Sequence, residues 1–410
     1  MNKISVIGLG YVGLPLALML SKSYNVNGYD INNKRISDLN KGIDNNRQFS
    51  RKEIKSFDKI VFSSNHKNLM NSNYFIVTVP TPIKNLKPDL SILTSACKLI
   101  AKYIKKKSII VFESTVYPGV TEDYCGKIIS KISGFEYKKD FYMAYSPERV
   151  NPGDKKRTIE KITKILGASD PKTLQKVKMI YSSFLKDKVF TVSNIKIAEA
   201  AKVIENAQRD INIAFMNELK EIFDKADINI FEVLRAANTK WNFLNFEPGF
   251  VGGHCIGVDP YYLAEFAKKN KVDPKVILSG RKTNERAIKL CMDSIIDITY
   301  KINNPKVLVL GLTFKENCPD IRNSKTIELI QSMIDHNIKV SVYDPWVHID
   351  DKDTLMFPLI DDLPNKQDFN LIVIAVKHKI FYEIGYNKIK NISTNKQCQI
   401  MDIKNLFNKK

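Results

Sequence analysis

The chain has 410 residues, 44% of them hydrophobic, which is a globular composition and too much chain for one ordinary domain, so two or three are expected. Its 64 Lys and Arg against 44 Asp and Glu give a formal charge of +20, yet acids interleave with the bases and the densest runs, 105–107 and 155–157, are brief. This argues against a nucleic-acid-binding tail and for a lysine-rich solvated surface, whose field also suits anionic small molecules.

Residues 3–8 read as a strand, 12–22 as a helix and 25–30 as a second strand. The uncharged stretch 4–20 resembles a membrane anchor only in composition. It holds three glycines and Pro15, and no apolar run elsewhere reaches the ~18–20 residues of a span. Between the first strand and its helix lies Gly8-Leu9-Gly10-Tyr11-Val12-Gly13, a GxGxxG. Its glycines serve a tight turn, close backbone approach to a pyrophosphate, and helix–strand packing. Asp30 ends the second strand, 17 residues after Gly13, where a carboxylate accepts from a ribose 2′-hydroxyl and repels a 2′-phosphate. NAD is therefore expected over NADP.

Further strands are expected at 74–79, 108–113 and 141–145, an alternation with helices that predicts a parallel, doubly wound α/β sheet. Over 195–226 the pattern changes: Ala198, Ala201, Ile204, Ala207, Ile211, Phe215, Leu219 and Ile222 recur at three- and four-residue steps without Gly or Pro. One long amphipathic helix is expected there, a domain connector or dimer interface, with helical segments continuing to about residue 301. A second α/β unit follows: strand 306–311, helix 324–336, strand 339–344, then strands 369–376 and 399–403. The predicted architecture is two doubly wound Rossmann-like domains joined by a long central helix and a helical middle domain, divided at 1–190, 195–301 and 302–410.

The segment 247–259, EPGFVGGHCIGVD, surrounds Cys255 with glycines, as a nucleophile that substrate must reach requires. Asp259 follows four residues later. The other five cysteines form no CxxC pair or disulfide framework, which fits a reducing cytoplasm, and the five histidines have no metal-ligand spacing, so no metal is expected. On the long helix, Lys202 and Asn206 share a face at i, i+4. They are either an oxyanion-binding pair or a solvated lysine with a polar neighbour. Glu113-Ser114-Thr115 and Ser146-Pro147-Glu148-Arg149 fall where strands of the first sheet end, the usual ligand edge. Thr115 and Glu148 are either a water-holding residue and its base, or caps and surface polar groups.

With these residues assembled, the chain resembles the UDP-glucose/GDP-mannose dehydrogenase family. The likeness runs through GLGYVGLP at 8–15, VPTP at 79–82, EST at 113–115 and SPERVNPGD at 146–154. It continues in AAKVIENAQRDINIAFMNE at 200–218, PGFVGGHCIGVDPYYL at 248–263 and LGLTFKENCPDIRNS at 310–324. The resemblance implies two successive oxidations by NAD at one site: alcohol to aldehyde, addition of Cys255, a second hydride loss, and hydrolysis of the thioester. It assigns Lys202 and Asn206 to the oxyanion, Asp259 and Thr115 to a catalytic water, and Glu148 to general-base help. Cofactor contacts implied are Gly8, Gly10, Tyr11, Val12, Gly13, Asp30, Arg35, Thr81, Thr115 and Arg322. Substrate contacts implied are Glu148, Arg149, Lys202, Asn206, Phe243, Asn245, Gly252, Phe314 and Lys315.

The resemblance also implies a homodimer on the long helix and a C-terminal domain that holds UDP. UDP-glucose enzymes commonly carry a carboxylate where this chain has Pro152, and a serine where it has His254. The likeness is therefore to the branch acting on UDP-N-acetylglucosamine or UDP-N-acetylgalactosamine for capsule and O-antigen synthesis, with position 152 and the loop 240–246 as the parts that choose the sugar. A UDP-glucose or UDP-N-acetylmannosamine enzyme, a two-electron hydroxyacid-type dehydrogenase and a non-catalytic sensor are the alternatives. The last two lack a reason for Cys255 and its glycines.

Overall fold

Each β-branched run named above forms a strand. The computed structural model describes residues 3–150, 157–347 and 355–407. They fall into two compact units, Met1–Glu205 with Tyr261–Asp273, and Asn206–Pro260 with Pro274–Lys410.

The first unit is built on an eight-stranded sheet: β1 Lys3–Ile7, β2 Asn25–Tyr29, β3 Ile60–Ser63, β4 Tyr74–Val77, β5 Ser108–Phe112, β6 Phe141–Tyr145, β7 Lys164–Ala168 and β8 Val189–Thr191. Their order is β8-β7-β6-β5-β4-β1-β2-β3, parallel except where β7 runs antiparallel to β6. Strands β1 to β6 thus adopt the doubly wound dinucleotide order, β3-β2-β1-β4-β5-β6, with its switch point between β1 and β4. β3, β7 and β8 were not among the expected strands. Helix α1, Gly13–Ser21, is buried at all its residues, which is why its sequence carries no charge.

Helix α2 spans Ile195–Lys225, as the three- and four-residue spacing predicts. The boundary between the two units falls within it, after Glu205. Helix α3 covers Asp259–Lys269 and α4 covers Lys275–Thr299.

The second unit holds a parallel four-stranded sheet, β9 Lys306–Leu310, β10 Lys339–Tyr343, β11 Leu371–Ile374 and β12 Gln399–Asp402, in the order β10-β9-β11-β12. Alternate residues go to opposite faces. Val307, Val309, Leu371 and Val373 pack on one side with Leu329 and Met333 of helix α5, Lys325–Asp335. Leu308, Leu310, Ile372 and Ile374 pack on the other with Phe381 and Ile389. Burial on both faces explains why these strands read as continuous apolar runs. Among the described residues no helix is long and apolar enough to cross a membrane.

Candidate active site

In the first unit the glycine loop follows β1. Gly8 sits at φ +92°, and a side chain there would meet the Thr78 carbonyl at 3.0 Å. Thr78 Oγ1 donates to the Gly8 carbonyl at 2.7 Å, closing the gap between the ends of β1 and β4. A Cβ on Gly13 would lie 1.8 Å from the Gly8 oxygen, so only glycine lets α1 start against the strand. A Cβ on Gly10 would meet nothing within 4 Å, and no side chain caps the start of α1. An open backbone beside a helix N-terminus left without a side-chain cap fits a pyrophosphate. Asp30 Oδ2 accepts from Leu9 N at 2.7 Å and Oδ1 from Asn32 N at 2.9 Å, so this acid shapes the loop as well as ending β2. Arg35 braces the same loop, Nε to the Leu9 carbonyl at 3.0 Å and Nη1 to Asp44 at 2.8 Å. Gln48 donates to the Tyr11 carbonyl at 3.2 Å, and Tyr262 to that of Thr81 at 3.0 Å.

The ends of β5 and β6 carry a buried charge cluster. Lys164 Nζ, on β7, lies 2.6 Å from Glu113 Oε2 and 3.9 Å from Glu148 Oε2. Tyr181 donates to the other Glu113 oxygen. Burial pushes the Glu113 carboxyl up, against the pull of Lys164. Glu113 is thus an internal counter-ion, whereas Thr115 two residues on is partly exposed. Glu148 fixes Oε1 on the amides of Arg149, at 2.7 Å, and Val150, and its buried Oε2 makes no hydrogen bond. Arg149 points elsewhere, to the Thr163 carbonyl at 2.9 Å and Glu205 at 2.9 Å. Lys202 on α2 is 7% exposed, which removes the solvated-lysine reading. Pro152 lies outside the described residues.

In the second unit Cys255 is exposed, whereas four of the chain's other five cysteines are buried. Burial pushes Cys291 up to about 12, while Cys255 sits where a substrate can reach it. Its glycines are dictated by a neighbouring segment, residues 312–324. Gly253 has φ +79°, and its Cβ would lie 2.6 Å from the Phe314 ring. A Cβ on Gly252 would lie 2.7 Å from the Asn323 carbonyl, which accepts from Gly253 N at 3.1 Å. Asn217 clasps the start of the loop, accepting from Gly249 N at 2.7 Å and donating to Gly249 O at 3.0 Å.

His254 tilts against Phe314, ring centroids 5.3 Å apart, with Nε2 3.1 Å from Asp320 Oδ2 and 3.2 Å from Arg322 Nη2. Burial works against the Asp320 charge, but His254 and Arg322 hold its carboxyl well below the usual range. Lys315 Nζ lies 6.0 Å from the Phe314 centroid. The Cys255 carbonyl receives the amides of Val258 and Asp259, at 3.1 and 2.9 Å, where α3 begins. Asp259 is 1% exposed and accepts from Asn206 Nδ2 at 2.5 Å. Phe243 packs with Met216, Ile230 and Leu234, and Asn245 is exposed.

Two groupings expected separately are thus joined, Asn206 with Asp259 and the Cys255 loop with Phe314. Sequence reasoning missed Lys164, Tyr181, Asp320 and Asn323, which act across long separations. It also passed over a legible signal on α2. Glu199, Lys202, Asn206, Asp210 and Asn217 recur at helical steps, and all five are buried. Polar groups are not kept inside at that spacing without partners.

Residues 2–185, 196–286 and 308–409 match the NAD binding domain, the central domain and the UDP binding domain of the UDP-glucose/GDP-mannose dehydrogenase family. The UDP-N-acetyl-D-glucosamine 6-dehydrogenase of Pseudomonas aeruginosa is 43% identical over 395 residues, 95% of this chain and 94% of its own. Protein CapL of Staphylococcus aureus is 45% identical over 417 residues, 100% of this chain and 97% of its own. Among solved structures, a UDP-D-ManNAc dehydrogenase from Pyrococcus horikoshii superposes with a TM-score of 0.85 at 31% identity, covering 97% of this chain and 95% of that one.

Proposed function

The chain belongs to the UDP-glucose/GDP-mannose dehydrogenase family, and from that premise we propose that it oxidises the C6 hydroxyl of a UDP-N-acetylhexosamine to a carboxylate through Cys255. It is an NAD-dependent nucleotide-sugar dehydrogenase. UDP-N-acetyl-D-glucosamine is the first choice of substrate, because the relative of that name is 43% identical whereas the mannosamine enzyme is 31% identical. UDP-N-acetyl-D-galactosamine is the second.

Bound NAD supplies the hydride acceptor, once for each of two oxidations. The remaining work falls to the chain. The Cys255 thiol adds to the C6 aldehyde, sulfur bonding to C6 while its proton passes to the C6 oxygen, from which it goes to solvent when the second hydride leaves. The resulting thiohemiacetal loses the second hydride to become a thioester. Water then cleaves that bond and returns the thiol, so alcohol plus water yields carboxylate with four electrons removed. Lys202 and Asn206 stabilise charge on the C6 oxygen, and Asp259 and Thr115 hold the water. Glu148, with Oε1 tied to two amides, offers Oε2 as the base. Arg322, Thr81 and Arg35 serve the cofactor side; Arg149, Phe243, Asn245, Gly252, Phe314 and Lys315 serve the sugar nucleotide.

The observation that carries this reading is the exposed Cys255 on a loop whose glycines admit Phe314 and Asn323. We further propose the division 1–190, 195–301 and 302–410, with the last segment taking UDP. A homodimer is proposed on α2, where Ile197, Ile204, Phe215 and Ile222 are each about half exposed on one face. The setting is the cytoplasm and the product a uronate for surface polysaccharide.

The test follows NADH with limiting UDP-N-acetylglucosamine, UDP-N-acetylgalactosamine, UDP-N-acetylmannosamine and UDP-glucose. Two NADH per sugar are expected for the true substrate, and Cys255→Ser should stop acid formation. One NADH per sugar, or normal acid formation by Cys255→Ser, overturns the thioester route.

A further inference from the structure

Glu199 lies on α2, one turn before Lys202, and is 0% exposed. Its carboxylate reaches across to a different element. Oε2 accepts from Gly119 N at 2.5 Å and Oε1 from Thr121 N at 2.8 Å. Those amides open a single π-helical turn, Val120–Gly126, entered through Gly119 at φ +96°. No side chain of the turn itself caps that start. A carboxylate suits it, since the amides point outward and the helix end is positive. Here the cap is supplied from eighty residues away in sequence.

What lies between β5 and that turn is the segment carrying Thr115. Its near end is held by Ser114 Oγ, which donates to the Val79 carbonyl at 2.6 Å. Its far end is held by Glu199. We propose that Glu199 is a positioning residue of the oxidation: by gripping the amides of Gly119 and Thr121 it fixes the Thr115 segment relative to the turn of α2 that carries Lys202. The inference rests on the proposed roles of Thr115 and Lys202, both within the first unit.

Net stability does not account for this carboxylate. Burial pushes Glu199 up to about 7 even though two amides favour its charge. A folded value raised above the unfolded one favours the folded state at acid pH, and that advantage is lost as pH rises through 7. At pH 8 Glu199→Gln therefore removes a charge that burial disfavours, which offsets part of what the substitution costs, and the sheet should stay folded. What it loses is one of the two acceptors, because its amide nitrogen would face a backbone N–H.

The experiment compares the parent, Glu199→Gln, Thr115→Ala and the double variant at pH 8, with UDP-N-acetylglucosamine and NAD. Glu199→Gln should lower kcat about 10- to 100-fold with KM little changed, since small misplacements near the chemistry carry such costs. In the Thr115→Ala background the same change should cost less than about threefold, because it acts through a residue already removed. Hydrogen exchange of the amides in 117–125 should speed up in Glu199→Gln while the sheet keeps its protection. A parent-like kcat, an undiminished loss in the double variant, or unchanged exchange overturns the proposal. Thr115→Ala with parent-like kcat overturns the reading beneath it, and the positioning role falls with it. Should Glu199→Gln fail to fold, Glu199→Asp, the same charge on a shorter arm, is read by the same criteria.

Discussion

After β1 the chain turns at Gly8, φ +92°, and enters α1 at Gly13; after β9 it turns at Gly311, φ +95°, and enters a helix only at Lys325. Both strands are followed by a neighbour that ends in an aspartate whose Oδ2 accepts the amide just past the glycine. Leu9 N reaches Asp30 at 2.7 Å, and Leu312 N reaches Asp344 at 2.6 Å. Beyond that the two regions part. Asp344 also takes Thr313 N at 2.9 Å, and His378, itself 0% exposed, closes over it at 3.0 Å. Asn317 N donates to His378 Nδ1 at 3.0 Å, so Nε2 carries the ring proton and gives it to Asp344. Trp346 stacks on the ring at 6.4 Å. The same skeleton is left open in one case and sealed in the other. An aspartate ending the second strand first of all shapes a loop, and it becomes a ligand contact only where the helix start stays beside it. In the second unit that start is displaced by residues 312–324, which carry Phe314, Lys315 and Arg322 instead.

The largest expected effect, counting stability and cofactor affinity together, tests the helix start. Gly13→Ala would put a Cβ 1.8 Å from the Gly8 carbonyl, a backbone atom that cannot yield without moving the loop. Strain of this kind costs about 1–3 kcal/mol of stability. With the loop displaced, NAD affinity should fall about 100-fold. Position 316, equally far from Gly311, is an exposed glutamate, and Glu316→Ala should leave unfolding within about 0.5 kcal/mol. Thermal unfolding and NAD titration decide it. A Gly13→Ala protein that binds NAD like the parent would break the comparison at its first step.

Next comes the seal. Asp344→Asn turns an amide toward Leu312 N and Thr313 N and leaves His378 without its acceptor, so a loss of about 2–4 kcal/mol is expected in urea unfolding. Burial opposes the Asp344 charge, but His378 and the two amides bring its carboxyl below the ordinary value. A lowered folded value gives stability that is complete above the unfolded carboxyl value of about 3.9 and is lost as pH falls through the folded one. The gap between parent and variant should therefore be flat from pH 5 to 7 and shrink below about 4. A gap that grows with acid would mean that Asp344 is not the charged partner.

Nine of the twelve strands, both glycine–aspartate units, the long helix and the Cys255 loop were legible because each is local: a short apolar run, a helical period, a cluster of glycines. β7 was not, because its first residue is Lys164, and a lysine at a strand start argues for surface. That lysine is inside because Glu113, 51 residues away, is there to meet it. The glycines of 249–257 were read as access to a thiol. The structure adds that Gly252 and Gly253 make room for Asn323 and Phe314, contacts that no spacing within the loop announces. The sealed aspartate was equally hidden, since Asp344 and His378 are 34 residues apart and look like an exposed strand end and a lone histidine.

The smallest effect expected is the most selective. Asp30→Asn keeps an oxygen for Leu9 N and removes the charge together with the acceptor of the exposed Asn32 N, so the loop should hold and thermal unfolding should change by no more than about 1 kcal/mol. What should change is discrimination. Without a carboxylate to repel a 2′-phosphate, kcat/KM with NADP relative to NAD should rise about tenfold, roughly 1.4 kcal/mol. Asp344→Asn, measured in parallel, should leave that ratio where it is while lowering stability. An aspartate that sets cofactor choice without holding the fold, and another that holds the fold without touching cofactor choice, is the separation the two loops imply. If both substitutions shift the ratio, the second loop also acts on the cofactor; if neither does, Asp30 is a loop-shaping residue like its counterpart.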